Sequence, residues 1–497
     1  MFHTIRMQDR LNRCHFINDG FGDLAAVVPM ALLFITLAMF SVGCATTVPI
    51  EEAMGELRDP NNSPGRQVAA MNALDTTPED EAYREQLHRL MYVPGYTVAV
   101  REEAFKRLEA IDPEGLKRTI RQRYPRLNMP GWSQRLSELI ADRGWVELTP
   151  ALISRWGREN PLIRDESDRI EYQTLVKLHG QEAIADLLFD TFLTARSVAE
   201  QGLRVRCWDL LHRLGHRDRL IELITEAELP EDDAMLIDLR AGAVELGIVP
   251  HNREEILWLR KLREPARADF WSEARSAMAQ LSAERRRELE LRDLAIVVAA
   301  ARHAPEMLTM STQELDRRLT AYLDTQRHHH PTDDFDNIRG GRRDLLRDHR
   351  DRLKWGDYVA MHMAIKAFQV PQMVEHLFDF AERDRQDDTT EYGGVIDLDE
   401  QGRFELLEFI PRIRQHAQKF IASQEMLDAA YTALFHFHNH AQRYNNADYA
   451  GPGFGDLNYA DNLRANCLVF TFINENTINM DYYRHGRVVV DLGEIRR

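Results

Sequence analysis

From about residue 80 to residue 325, apolar positions recur every three or four residues, with glycine and proline at the ends of each run. That period predicts amphipathic helices. Between Val100 and Leu108 the residues Ala104, Phe105 and Leu108 fall on one helical face. Cys207, Trp208 and Leu211 take the same places between Arg204 and Leu214. Each segment is followed by a short turn and a second amphipathic stretch, Leu116–Ile120 and Leu220–Ile224. Residues 326–349 interrupt the pattern with His328-His329-His330-Pro331 and Arg339-Gly340-Gly341-Arg342, which reads as a linker. Beyond 350 the period changes. One helix is expected over Gln372–Arg383, then strands over Tyr392–Ile396, Phe404–Ile410, Thr432–His438, Cys467–Ile473, Ile478–Tyr483 and Val488–Leu492. The expected fold is multidomain: a mostly α-helical part over 81–325 and an α+β domain over 350–497.

The paired short helices resemble a HEAT-type solenoid, without a clean period; an irregular helical bundle is the simpler alternative. Residues 45–80 are polar and rich in turn formers, as in Asp59-Pro60-Asn61-Asn62-Ser63-Pro64-Gly65, and read as a flexible tether. Residues 1–44 read as a signal or anchor segment. An uncharged run from Leu24 to Gly43 follows Arg6, Arg10 and Arg13. Ser41-Val42-Gly43-Cys44-Ala45 resembles a bacterial lipobox, which implies lipidation of Cys44 and a protein held at the membrane outside the cytoplasm. Ser41 departs from the leucine usual there, and an uncleaved anchor helix is the alternative.

Composition sets limits. Lys plus Arg is 63 against 80 for Asp plus Glu, a formal net charge of −17. An acidic chain without a long basic stripe argues against nucleic acid as a partner. The four cysteines, Cys14, Cys44, Cys207 and Cys467, form no closely spaced pair, so neither a disulfide framework nor a thiolate metal site follows.

The candidate chemistry lies near the end of the chain, in Phe435-His436-Phe437-His438-Asn439-His440 and Gly451-Pro452-Gly453-Phe454-Gly455-Asp456. Residues two apart on a strand share a face. His436 and His438, joined by Asp456 from the following loop, would supply three ligands and leave one position open, the arrangement of a catalytic zinc site. His440 falls on the same side if the strand continues, and is an alternative ligand or a fourth one closing a structural site. Asp461 is an alternative third ligand. His328, His329 and His330 are adjacent and do not converge well on one ion.

Glu391 precedes Tyr392-Gly393-Gly394-Val395-Ile396, and this order of glutamate, glycine-glycine strand, His-x-His and aspartate resembles the JAMM (JAB1/MPN+) metalloprotease domain. The likeness covers roughly 350–497. It implies Zn²⁺ held by His436, His438 and Asp456, with Glu391 as general base, and hydrolysis of an amide bond in a peptide or protein substrate. Three departures stand out: a longer interval between histidine and aspartate, Gly453 at the family's serine position, and Asn439 where a proline usually follows. Asn439 is a candidate replacement donor for the missing serine hydroxyl. The competing expectation is a non-catalytic, helical-repeat binding or scaffold lipoprotein whose C-terminal fold is inactive.

Overall fold

The computed structural model describes residues 47–158, 163, 165–226, 228–330, 344–409, 411 and 420–497. The anchor segment with Cys44, and Arg339 and Arg342 of the expected linker, lie outside the described residues. Among the described residues no helix is long and apolar enough to cross a membrane.

The chain divides into two compact units, residues 1–116 and 117–497. In the first, the expected tether is not found. Ile50–Arg58 and Pro64–Leu74 are helices, followed by Glu81–Leu90 and Val98–Ile111. Ala53, Leu57, Ala70, Met71 and Leu74 lie at helical spacing and are buried, so the turn-rich composition marks only the short link between two helices. Ser63 caps the second helix by accepting from the Arg66 N–H at 3.3 Å, with Pro64 at the first helical position.

The second unit is helical up to Leu323 and ends in a six-stranded mixed sheet. The helices Gln201–Arg213 and Arg217–Thr225 form as their pattern predicts. The strands are β1 (Gly393–Leu398), β2 (Phe404–Phe409), β3 (Phe435–His440), β4 (Cys467–Asn474), β5 (Thr477–Arg484) and β6 (Val488–Arg496), in the order β2-β1-β3-β4-β5-β6. Only β3 and β4 run parallel, joined through the helix Phe454–Leu463; the other pairs are antiparallel.

One sheet face is aromatic. Phe437 lies 5.7 Å from Phe470 between ring centroids, and both meet the helical layer through Phe380 and Phe368. The helices Trp355–Ala367 and Pro371–Gln386 belong to that layer. The opposite face carries His436, His438 and His440, because side chains alternate along β3.

The boundary expected at 326–349 lies inside this second unit. A buried ionic network ties the helical part to the sheet. Arg292 reaches Asp357 at 2.9 Å, Asn466 at 2.6 Å and Glu290 at 3.0 Å. Arg484 of β5 grips Asp357 with two hydrogen bonds, and Glu290 also meets Arg464 and His485. The start of the expected linker is held too: the His329 N–H donates to Asp491 of β6 at 2.8 Å, and its ring meets Glu494 at 2.9 Å.

Burial alone would raise Asp357, but Arg292 and Arg484 hold its carboxyl well below the usual range. Asp357 therefore stabilises the fold above about pH 4, where an unfolded carboxylate is ionised, and that contribution fades as pH falls further. Arg292→Ala is expected to destabilise the second unit by about 3–5 kcal/mol, since it leaves buried carboxylates unpaired. Urea unfolding at pH 7 and pH 3 checks both statements: Asp357→Asn should flatten the acid-side loss relative to the parent.

Candidate metal centre

The glycine pair sets the register that builds the site. A Cβ on Gly394 would stand 2.0 Å from the Leu407 carbonyl oxygen, and one on Gly393 would stand 2.5 Å from that of Phe437. Only glycine permits both strands to close on β1. Gly393 pairs with His438, and the Asn439 N–H donates to the Tyr392 carbonyl at 3.0 Å. Glu391, two residues before Gly393, is thereby carried to the histidine face at the end of β3.

Asp456 comes from the first turn of the helix Phe454–Leu463, where its Oδ2 accepts from the Gly453 N–H at 2.6 Å. The same oxygen lies 3.4 Å from His438 Nε2 and 3.9 Å from His440 Nε2, and the two Nε2 atoms are 3.2 Å apart. His438, His440 and Asp456 form the one group of three such donors among the described residues that converges on a common point. Four ligands placed tetrahedrally at zinc bond lengths are separated by about 3.3 Å. The three observed separations bracket that value, and two imidazoles with one carboxylate are a fitting donor set for zinc.

The histidine pair is thus shifted by two residues from the expected one. His436 stays out of the group. Its Nδ1 is hydrogen-bonded to the Tyr459 hydroxyl at 2.7 Å, and burial pulls its pKa down to about 4. The helix after Gly453 explains this. Asp456 in its first turn meets His438 and His440, while Tyr459, nearly one turn later, meets His436. Asp461 caps a different feature, accepting from the Gly486 N–H at 2.7 Å in the β5–β6 turn. Asn439 sits on the aromatic side of β3 and cannot serve as the replacement donor.

The ligand orientations are fixed from behind. His440 Nδ1 donates to the Tyr449 carbonyl at 2.9 Å, which leaves the Nε2 lone pair facing the other donors. His438 Nδ1 lies 3.5 Å from the Tyr483 hydroxyl. Burial works against charge on His438, yet Asp456, Glu391 and Asp384 hold it up at about 9. Burial likewise opposes ionisation of Asp456, but His438, His440 and the Gly453 N–H keep it below the usual range. A proton on His438 and a divalent ion therefore compete for the same electrostatic position.

Glu391 is buried, and burial pushes its carboxyl up to about 7, with His438 opposing and Asp456 reinforcing. Gln442 donates to its Oε1 at 3.1 Å, and Asn446 donates to the Gln442 side-chain Oε1 at 3.0 Å and to the His440 backbone carbonyl at 2.9 Å. Asp384 is a second buried acid here. It accepts from the Tyr392 N–H, its Oδ2 has no hydrogen-bond partner, and burial followed by the charge of Glu391 pushes it up to about 8. Sequence reasoning missed Asp384 and Gln442. Asp384 had a signal: it continues the face of Met373, Leu377, Phe380 and Ala381, an acid at a core position of an amphipathic helix.

The chain matches no family model, no curated protein and no solved structure.

Zinc content of the purified full chain checks the ligand set. His440→Ala and Asp456→Ala should each lose the metal, while His436→Ala and Asp461→Ala should keep it at about one zinc per chain. Retention in His440→Ala with loss in His436→Ala would restore the pair expected from sequence.

Proposed function

We propose that this chain is a zinc-dependent hydrolase that cleaves an amide bond in a peptide or protein, with a centre made by His438, His440 and Asp456 and with Glu391 as general base. The observation that carries this reading is the placement of Glu391: a buried carboxyl poised near neutrality beside three converging ligand atoms. The resemblance of residues 350–497 to JAMM metalloproteases supports the substrate class, with the histidine pair moved to 438 and 440. The lipobox-like Cys44 supports attachment at the cell envelope.

Zinc held by His438, His440 and Asp456 would supply Lewis acidity, lowering the pKa of water toward about 7 and polarising a carbonyl. The protein's own groups do the rest. Gln442 and the Phe420 N–H both donate to the Glu391 carboxyl and hold it in place. Glu391 takes the water's proton as the oxygen bonds to the carbonyl carbon. It returns that proton to the amine nitrogen as the carbon–nitrogen bond breaks. A carboxyl near pH 7 is matched to both halves of this transfer.

Glu391→Gln keeps the hydrogen-bonding shape but cannot accept the proton. With zinc retained, hydrolysis of peptide and isopeptide libraries is expected to fall by about 10²–10⁴-fold. Equal turnover by Glu391→Gln and parent, or absence of zinc from folded protein supplied with it, would sink the hydrolase reading in favour of a binding protein.

A further inference from the structure

We propose that two arginine–aromatic stacks at the rim of the metal centre, Arg443 on Tyr449 and Arg487 on Phe454, select a polypeptide substrate bearing Asp or Glu side chains close to the bond to be cut. This rests on the hydrolase reading above and adds the substrate's charge.

The centre opens toward His440 and Asp456. Side-chain exposure rises from 7% at His438 to 14% at His440 and 25% at Asp456. Both stacks are attached at that end. Tyr449 holds His440 through its carbonyl, and Phe454 lies two residues before Asp456. The Arg443 guanidinium sits 5.3 Å from the Tyr449 ring centroid, and that of Arg487 sits 5.4 Å from Phe454. Phe454 is 41% exposed, so the Arg487 pair faces solvent.

Several arginines placed over rings elsewhere in this chain are also ion-paired, although Arg285 over Trp355 bonds instead to the Leu308 carbonyl. Arg385 lies over Tyr444 and pairs with Glu382; Arg497 lies over Phe378 and pairs with Asp379; Arg219 lies over Phe189 and pairs with Asp186. Arg443 and Arg487 are exposed, and neither has a carboxylate within ion-pair distance among the described residues. Arg443 spends one donor, Nε, on Asn446 at 3.2 Å. A guanidinium laid on a ring keeps its edge N–H groups directed outward, in the fork that matches a carboxylate.

Both arginines are also held in place. Arg443 bonds to Asn446, which steadies Gln442 and, through it, Glu391. Arg487 occupies a left-handed position, φ +55°, in the β5–β6 turn that Asp461 ties to the helix carrying Asp456. Glycine or asparagine is favoured at such a φ, so Arg487 sits there against its backbone preference. With a net charge of −17 the protein repels acidic chains at long range. Two guanidinium groups beside the centre, without an ion-pair partner among the described residues, are the local feature that reverses this.

The test is binding of fluorescent peptides to zinc-supplied full chain carrying Glu391→Gln, so that a bound probe is not consumed. The probes are a Gly-Glu repeat, the same repeat with Lys, and the same with phosphoserine. The Glu peptide is expected to bind about 10-fold more tightly than the Lys peptide, and the preference should weaken with salt. Arg443→Ala and Arg487→Ala should each reduce it, and the double variant should abolish it with zinc content unchanged. Equal binding of Glu and Lys peptides, no binding of the Glu peptide, or a preference that survives the double variant would overturn the proposal. Binding of the phosphoserine peptide alone would overturn it in favour of a phosphate-bearing chain. Zinc content in the same samples judges the metal centre separately: loss of zinc with the Glu preference intact would sink the hydrolase reading and leave the arginines as a binding surface.

Discussion

Arg292 is the residue on which the arrangement of the second unit depends. It is fully enclosed, and a lone guanidinium in that position would be prohibitively costly. Glu290, Asp357, Asn466 and Tyr482 make it tolerable by surrounding it with acceptors. Those partners come from both parts of the chain: Glu290 from the helical region, Asp357 from the helix Trp355–Ala367, Asn466 from the entry to β4, and Tyr482 from β5. Arg464 and Arg484 extend the network and balance its carboxylates. A buried network of this kind contributes less to net stability than its many contacts suggest, because desolvation offsets much of the attraction. Its consequence is a set of charged contacts that joins the sheet to the helices through Glu290, Arg292, Asp357 and Arg484.

That junction matters for the metal centre because Asn466 and Arg464 flank the link between the helix of Asp456 and strand β4. Arg464 adopts a left-handed conformation at the helix end, φ +52°, with its side chain committed to Glu255 and Glu290. The far end of the helix is therefore anchored in the ionic network while its first turn presents Asp456 to β3. A parallel β3–β4 pair requires such a crossover, and here the crossover brings the Asp456 carboxylate to His438 and His440.

Electrostatics at the centre follows from the same economy. Asp384, Glu391 and Asp456 bring three carboxyl groups close to two neutral-capable imidazoles inside the protein. Without a cation the low-dielectric surroundings push Asp384 and Glu391 toward their neutral forms and hold a proton on His438.

Much of this was legible in the sequence. Alternation along Phe435–His440 assigned all three histidines to one face, and the apolar period assigned the six strands within about four residues of their observed ends, while the helices Trp355–Ala367, Gln424–Ala429 and Phe454–Leu463 were not expected. Glu391, His438 and Asp456 were identifiable by residue type and order. The sequence could not decide which two histidines meet Asp456, because the interval across the loop does not say where the helix starts. Tertiary structure decided it: the helix begins at Phe454, its first turn faces His438 and His440, and Tyr459 takes His436 instead. The supposed tether was misjudged because turn-forming residues dominate its composition while five small or aliphatic residues carry its packing. Asp384, Gln442 and the Arg292 network stayed hidden because their partners are distant in the chain. Local pattern determines which face a side chain occupies; only long-range packing determines what it faces.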